Sequence, residues 1–137
     1  SDVVYWLVRV CVSAGRFHSA LAHASDYLRE NPSNWRLRLV VASIHEALGD
    51  LPAAQLQLEN IVDAEPSLAL PRYRLAMLYR RLQPVGDRAV AHLRAYLAIA
   101  PDGPHAAEVR MELGRASSAS TALRQLETKP ESELLVP

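Results

Sequence analysis

The sequence predicts an all-α fold, a stack of antiparallel helix pairs, and three observations carry that prediction. Pro32, Pro66 and Pro101 recur at intervals of 34 and 35 residues. A small residue, Ala20, Ala54 or Ala89, stands twelve positions before each of these prolines. Gly15 and Gly49 repeat at the same interval of 34, between apolar runs of helical period. Self-similarity at this length marks units that bury their apolar faces only by stacking on their neighbours.

Each unit reads as two helices. Val4, Leu7, Val8 and Cys11 recur at helical spacing and Gly15 stops the run. A second helix carries Ala20, Leu21, Ala24, Tyr27 and Leu28 and ends at Asn31-Pro32, because proline pushes the residue before it out of the helical region. The second unit runs from Trp35 to Leu48, with Leu39, Val41, Ala42 and His45, and turns at Gly49-Asp50. Pro52 falls in the first turn of the next helix, where a missing N–H costs nothing, and Ala54, Leu58, Ile61 and Val62 form its apolar stripe. The third unit spans Ala69 to Leu82 and Asp87 to Ala100, with Asp87 in the N-cap position. Its turn, Gln83-Pro84-Val85-Gly86, lacks a glycine matching Gly15 and Gly49 and holds the extra residue of that repeat.

After Pro101, one further helix is expected over His105 to Ala116. Ser117-Ser118-Ala119-Ser120 reads as a flexible break, and Thr121 to Thr128 as a short helix. The expected organisation is therefore a repeat domain over residues 1–116, in units of about 1–34, 35–68 and 69–103 with an extra helix over 104–116. Residues 117–137 follow as a flexible segment ending in an acidic tail.

Composition bounds the function. A chain of 137 residues that is 50% hydrophobic can bury a core. No apolar run reaches the length of a membrane span, and Arg9 interrupts the run from Val3 to Val12, so that segment reads as a structural helix rather than a leader. The formal net charge is zero, which argues against a general nucleic-acid binder. Fourteen of the fifteen basic residues are arginine. The single cysteine, Cys11, can form no internal disulfide, which fits a reducing cytoplasm without excluding the periplasm. No glycine-rich phosphate loop, zinc-ligand spacing or carboxylate pair is present, so no cofactor and no metal is expected. His18 and His23 lie five apart and occupy different faces of a helix.

These residues resemble tetratricopeptide repeats. The terminal prolines, the glycines Gly15 and Gly49, the small residues Ala42 and Ala76 in first helices, and Ala20, Ala54 and Ala89 in second helices all match that family's pattern over about residues 1–103. Small side chains are needed there because the helices approach closely. The resemblance implies a right-handed superhelical α-solenoid of three repeats plus a trailing helix. Cys11, His45 and Tyr79 fall in one register, where the family favours a packing residue. A Cys11–His45 nucleophile pair is therefore not expected, and neither is enzymatic activity.

The same resemblance implies a concave groove lined by the first helix of each unit: Tyr5, Arg9 and Val12, then Arg36, Leu39, Ser43 and Glu46, then Leu70, Tyr73, Met77, Arg80 and Arg81. Tyrosine, methionine and arginine suit a protein-binding surface. The third unit concentrates Arg72, Arg74, Arg80 and Arg81 without an acidic residue between Ala69 and Gly86, which would suit an acidic peptide. Chaperone-binding members clamp a terminal carboxylate with Lys, Asn and Arg. Here those sites read Tyr5, Arg9, Val40, Leu70 and Arg74, and only Arg74 matches, so clamp binding is not expected. The expected function is a scaffold or adaptor that takes a protein or peptide, and neither nucleic acid nor membrane, in its groove. The alternatives are a spacer or self-assembling module that associates through exposed repeat ends, as in secretion, export or envelope-assembly systems, and a tail over residues 131–136 that lies in a groove.

Overall fold

Helix follows helix along the chain. The computed structural model describes residues 2–83 and 87–128, and among these every regular element is an α-helix. They are α1 (Asp2–Ser13), α2 (Phe17–Glu30), α3 (Trp35–Ala47), α4 (Leu51–Ala64), α5 (Ala69–Leu82), α6 (Asp87–Ile99) and α7 (Ala106–Thr128). Each packs chiefly on its neighbours in sequence, giving an all-α solenoid of three helix pairs and a seventh helix. The turn residues Pro84, Val85 and Gly86, whose irregularity stands out in the sequence, lie outside the described residues, as does the tail over 129–137.

Glycine sets the turn inside the first two pairs. Gly15 and Gly49 have φ of 73° and 79°, the left-handed region that a side chain disfavours. Around Gly15, Arg16 N donates to Cys11 O at 2.8 Å and Gly15 N to Val12 O at 3.0 Å. Asp50 N to His45 O and Gly49 N to Glu46 O repeat the same pattern at 2.8 and 3.0 Å. This paired closure consumes carbonyls that the end of a helix would leave orphaned. Asp50 then serves the next helix, accepting from Ala53 N at 3.2 Å through Oδ1, and Asn34 caps α3 likewise through Leu37 N at 3.2 Å.

Between pairs, the proline closes α2, α4 and α6, and an arginine staples the turn. Arg38 Nε donates to Pro32 O at 2.9 Å, Arg72 Nη2 to Pro66 O at 3.4 Å and Arg110 Nη2 to Pro101 O at 2.7 Å. A carbonyl in a tight inter-helix turn has few backbone donors within reach, and a long guanidinium from the following helix supplies one.

The small residues sit where helices meet. Ala20, Ala42, Ala54 and Ala76 are fully buried and Ala89 nearly so. Around them interlock three apolar clusters: Val8, Leu28, Leu37 and Ile44 across α1 to α3; Leu58, Ile61, Leu75 and Leu78 across α3 to α6; Leu93, Tyr96 and Val109 across α5 to α7. Cys11 packs half-buried against the first cluster and Tyr79 is buried in the second, while His45 is half-buried.

One local expectation is corrected. Ser117-Ser118-Ala119-Ser120 does not break the chain; α7 runs through it for 23 residues. Ser118 Oγ donates to Gly114 O at 3.1 Å and Thr121 Oγ1 to Ser117 O at 3.0 Å. Hydroxyls returned to the carbonyl one turn earlier no longer compete with the helix, and nothing else in the segment forbids it.

Candidate functional site

The residues named from the sequence do not converge on one surface. Glu46, Tyr73, Met77 and Arg81 line one open pocket of about 220 Å³ between α3 and α5, together with Arg74 and Leu78. Tyr73, Met77 and Arg81 reach it because they recur every fourth residue along α5. Ser43 joins through Arg74, whose Nη2 donates to Ser43 Oγ at 2.6 Å and lies 3.7 Å from Glu46 Oε1. Arg74 Nη1 also donates to Leu39 O at 3.2 Å. Arg74 is thereby tied to the preceding repeat, neutralising Glu46 and bridging the two helices.

The other named residues lie elsewhere. Arg80 pairs with Glu112 of α7, which is only 7% exposed and also receives Arg115 Nη1 at 2.8 Å. A buried carboxylate demands such compensation, so Arg80 is committed to the next helix. Tyr5 is half-buried against the first cluster, with Arg9 Nη1 3.4 Å from its hydroxyl and the guanidinium 5.9 Å from its ring centroid. Arg36 is exposed and lies over Trp35, 5.5 Å from the ring centroid. Leu39 is buried in the core rather than on a surface.

The four third-unit arginines therefore divide by function. Arg72 serves the Pro66 turn, Arg74 the second repeat and Arg80 the buried Glu112. Among the described residues only Arg81 of the four makes no ion pair or side-chain hydrogen bond, and it rims the pocket. Arg38 and Arg72 each follow a repeat-ending proline by six residues, a spacing that was readable in the sequence; nothing in the sequence singles out Glu112.

Tyr73 ties the pocket to the last helix. Its ring stacks on His105 with centroids 4.0 Å apart and planes 11° from parallel. Burial, then the nearby Glu108 carboxylate, pushes its phenol up to about 12. At neutral pH it presents an uncharged aromatic ring to anything seated against α5.

A second polar assembly lies between α4 and α6. The Tyr79 hydroxyl donates to Glu59 Oε1, which also accepts from Gln55 Nε2 at 2.8 Å. The bond from Tyr79 is the main reason that the Glu59 carboxyl is held below its ordinary value. Burial pushes the Tyr79 phenol up to about 12. His92 stacks on Tyr79 at 5.6 Å, and its Nδ1 lies 3.3 Å from Arg72 Nη1. A guanidinium only donates, so His92 is neutral with its lone pair on Nδ1; burial first, and Arg72 second, depress its basicity.

Among the described residues no cluster of three metal-ligating side chains occurs, and no helix is long and apolar enough to cross a membrane. A search of curated protein sequences finds no significant match. Solved structures of similar fold include the first repeat domain of Spaghetti (RPAP3), bound to an HSP90 peptide, with TM-score 0.73, 19% identity and coverage of 87% of this chain and 91% of that one. MamA aligns with TM-score 0.71 and 18% identity over 83% of this chain and 64% of its own length. The Yersinia enterocolitica type III secretion translocator chaperone SycD aligns with TM-score 0.67 and 14% identity over 93% and 86% of the two chains. At these identities the likeness establishes the fold alone. A sequence profile of the tetratricopeptide repeat matches residues 2–82, more than half of the chain, and the chain belongs to that family.

Proposed function

We propose that the chain is a non-enzymatic scaffold that binds a segment of a partner protein across the pocket between α3 and α5. Tetratricopeptide folds are generally interaction modules, and similar structures include one holding a peptide and one secretion chaperone. The observation that carries the reading is the pairing of an apolar floor, Tyr73 and Met77, with Arg81 at the rim. An aromatic, a methionine and an arginine on one open face offer contact area plus one directional charge. The partner chemistry that fits is a bulky apolar anchor followed by an acidic residue. A terminal-carboxylate clamp is not supported, since the one matching side chain, Arg74, already serves Glu46, Ser43 and Leu39.

Displayed peptides selected against the full chain, then measured by calorimetry, test the proposal. Selected peptides should pair an apolar anchor with Asp or Glu, and Arg81→Glu should weaken them about tenfold, the scale of a desolvated charge pair. Equal binding by Arg81→Glu and Tyr73→Ala variants would reject the site.

A specific observation supports a second reading. Val3, Trp6, Leu7 and Val10 of α1 are 76, 61, 43 and 63% exposed and recur at helical spacing. An apolar stripe on an end helix suits stacking on a further helix, whether of a neighbouring repeat or of another copy. Self-association through α1 would disappear in Trp6→Asp by sedimentation velocity; an unchanged mass in both proteins counts against it.

A further inference from the structure

A larger opening than the α3–α5 pocket lies elsewhere on the solenoid. It is a slot of about 430 Å³ between α6 and α7. Val90, Ala91, Leu113 and Ala116 supply its apolar lining, Ser117, Ser120 and Thr121 its hydroxyls, and Arg94 and Arg124 its positive charge. Among the described residues Asp87 is the only acidic one lining it, against two arginines. Among the described residues neither Arg94 nor Arg124 makes an ion pair. The slot exists because α7 continues through Ser117–Ser120, where residues 117–128 are exposed. Elsewhere in this solenoid such a surface, small residues between two helices, is covered by another segment.

We propose that the slot is the docking site of this chain's own residues 131–136. The chemistry of that segment is complementary: Glu131 and Glu133 precede Leu134, Leu135 and Val136. The acids match the slot's arginines, and an aliphatic side chain matches its Val90, Ala91, Leu113 and Ala116 lining.

Reach is sufficient. From Leu113 to Arg124 the helix rises about 16 Å at ~1.5 Å per residue. Six extended residues span roughly 20 Å, so 131–136 can cover the slot from end to end. Pro130 opposes continuation of the helix through residue 129, and a chain that doubles back there meets Arg124 first. With Glu131 facing Arg124, the alternation of an extended strand puts Glu133 and Leu135 on the same face, and Leu135 falls over Ala91 and Ala116. The sequence suggests the third-unit arginines as the tail's counterpart. Arg72, Arg74 and Arg80 are already engaged, whereas among the described residues Arg94 and Arg124 make no ion pair.

Disulfide trapping in the full chain tests this. With Cys11 changed to Ser, Leu135→Cys is combined with Ala91→Cys in the slot or with Ser43→Cys on the α3–α5 face, and oxidation is followed on non-reducing gels. The proposal expects an intramolecular bond with position 91 and little with position 43. Glu131→Arg should slow the bond at 91 about threefold, the scale of an exposed ion pair, and Arg124→Glu in that background should restore it. Preferential bonding at 43 would place the tail on the other face and overturn the assignment. A disulfide-linked dimer at 91 would mean that a second copy supplies the segment, and absence of bonding at 91 would mean that the slot does not hold it; either overturns the proposal.

Discussion

Tyr79→Phe isolates one hydrogen bond between repeats. Tyr79 is 9% exposed, and its ring packs in the second cluster, stacks on His92 and lies 5.8 Å from the Arg88 guanidinium. Phenylalanine keeps that ring and deletes only the donor to Glu59. A hydrogen bond to an ionised group contributes about 1.5–3 kcal/mol. Glu59 is half-buried and retains its bond from Gln55, so the low end applies, about 1.5 kcal/mol. For a chain of this size that is a fall in Tm of about 5 °C. The Glu59 carboxyl, held low chiefly by Tyr79, should titrate at higher pH in the variant. Urea unfolding followed by circular dichroism gives the first number and carboxyl-carbon NMR the second. A cycle with Glu59→Met should return a coupling of about 1 kcal/mol. If Tyr79→Phe changes stability by less than about 0.3 kcal/mol and leaves the Glu59 titration where it was, the bond is not formed in solution and the reasoning fails.

Two further outcomes follow from the same region and its neighbour. His92 has a depressed basicity in the folded chain, so its stabilising contribution is complete above its ordinary value of 6.5 and is lost as pH falls through the lower folded value. Unfolding free energy should therefore decline on acidification below pH 6.5, with a shallower slope in His92→Gln; identical slopes would show that His92 titrates normally. At Gly103 an added Cβ would lie 2.6 Å from Tyr96 Oη and 2.9 Å from Ala100 Cβ, and Tyr96 is 1% exposed and cannot yield. Gly103→Ala should cost about 1–3 kcal/mol in urea unfolding, and a neutral result would show that the turn before α7 adjusts freely.

The sequence alone determined the helical repeat, the positions of its turns and the identity of its close-packed residues. Proline and glycine act through their own backbone geometry, and a fully buried alanine is dictated by the distance between helices, so both leave a periodic trace. Ala42 and Ala76, or Gly15 and Gly49, can be found by counting. The Ser117–Ser120 segment misled because serine is compatible with either state, and its hydroxyls choose only once the carbonyls of a preceding turn exist. Which arginines remain free for a ligand was decided by tertiary structure. Arg72, Arg74, Arg80 and Arg81 are chemically equal in the sequence, and an ion pair such as Arg80 with Glu112 joins residues 32 apart that no local pattern links. Charge is long in reach and indifferent to register, so only the packed helices settle which partner each guanidinium finds.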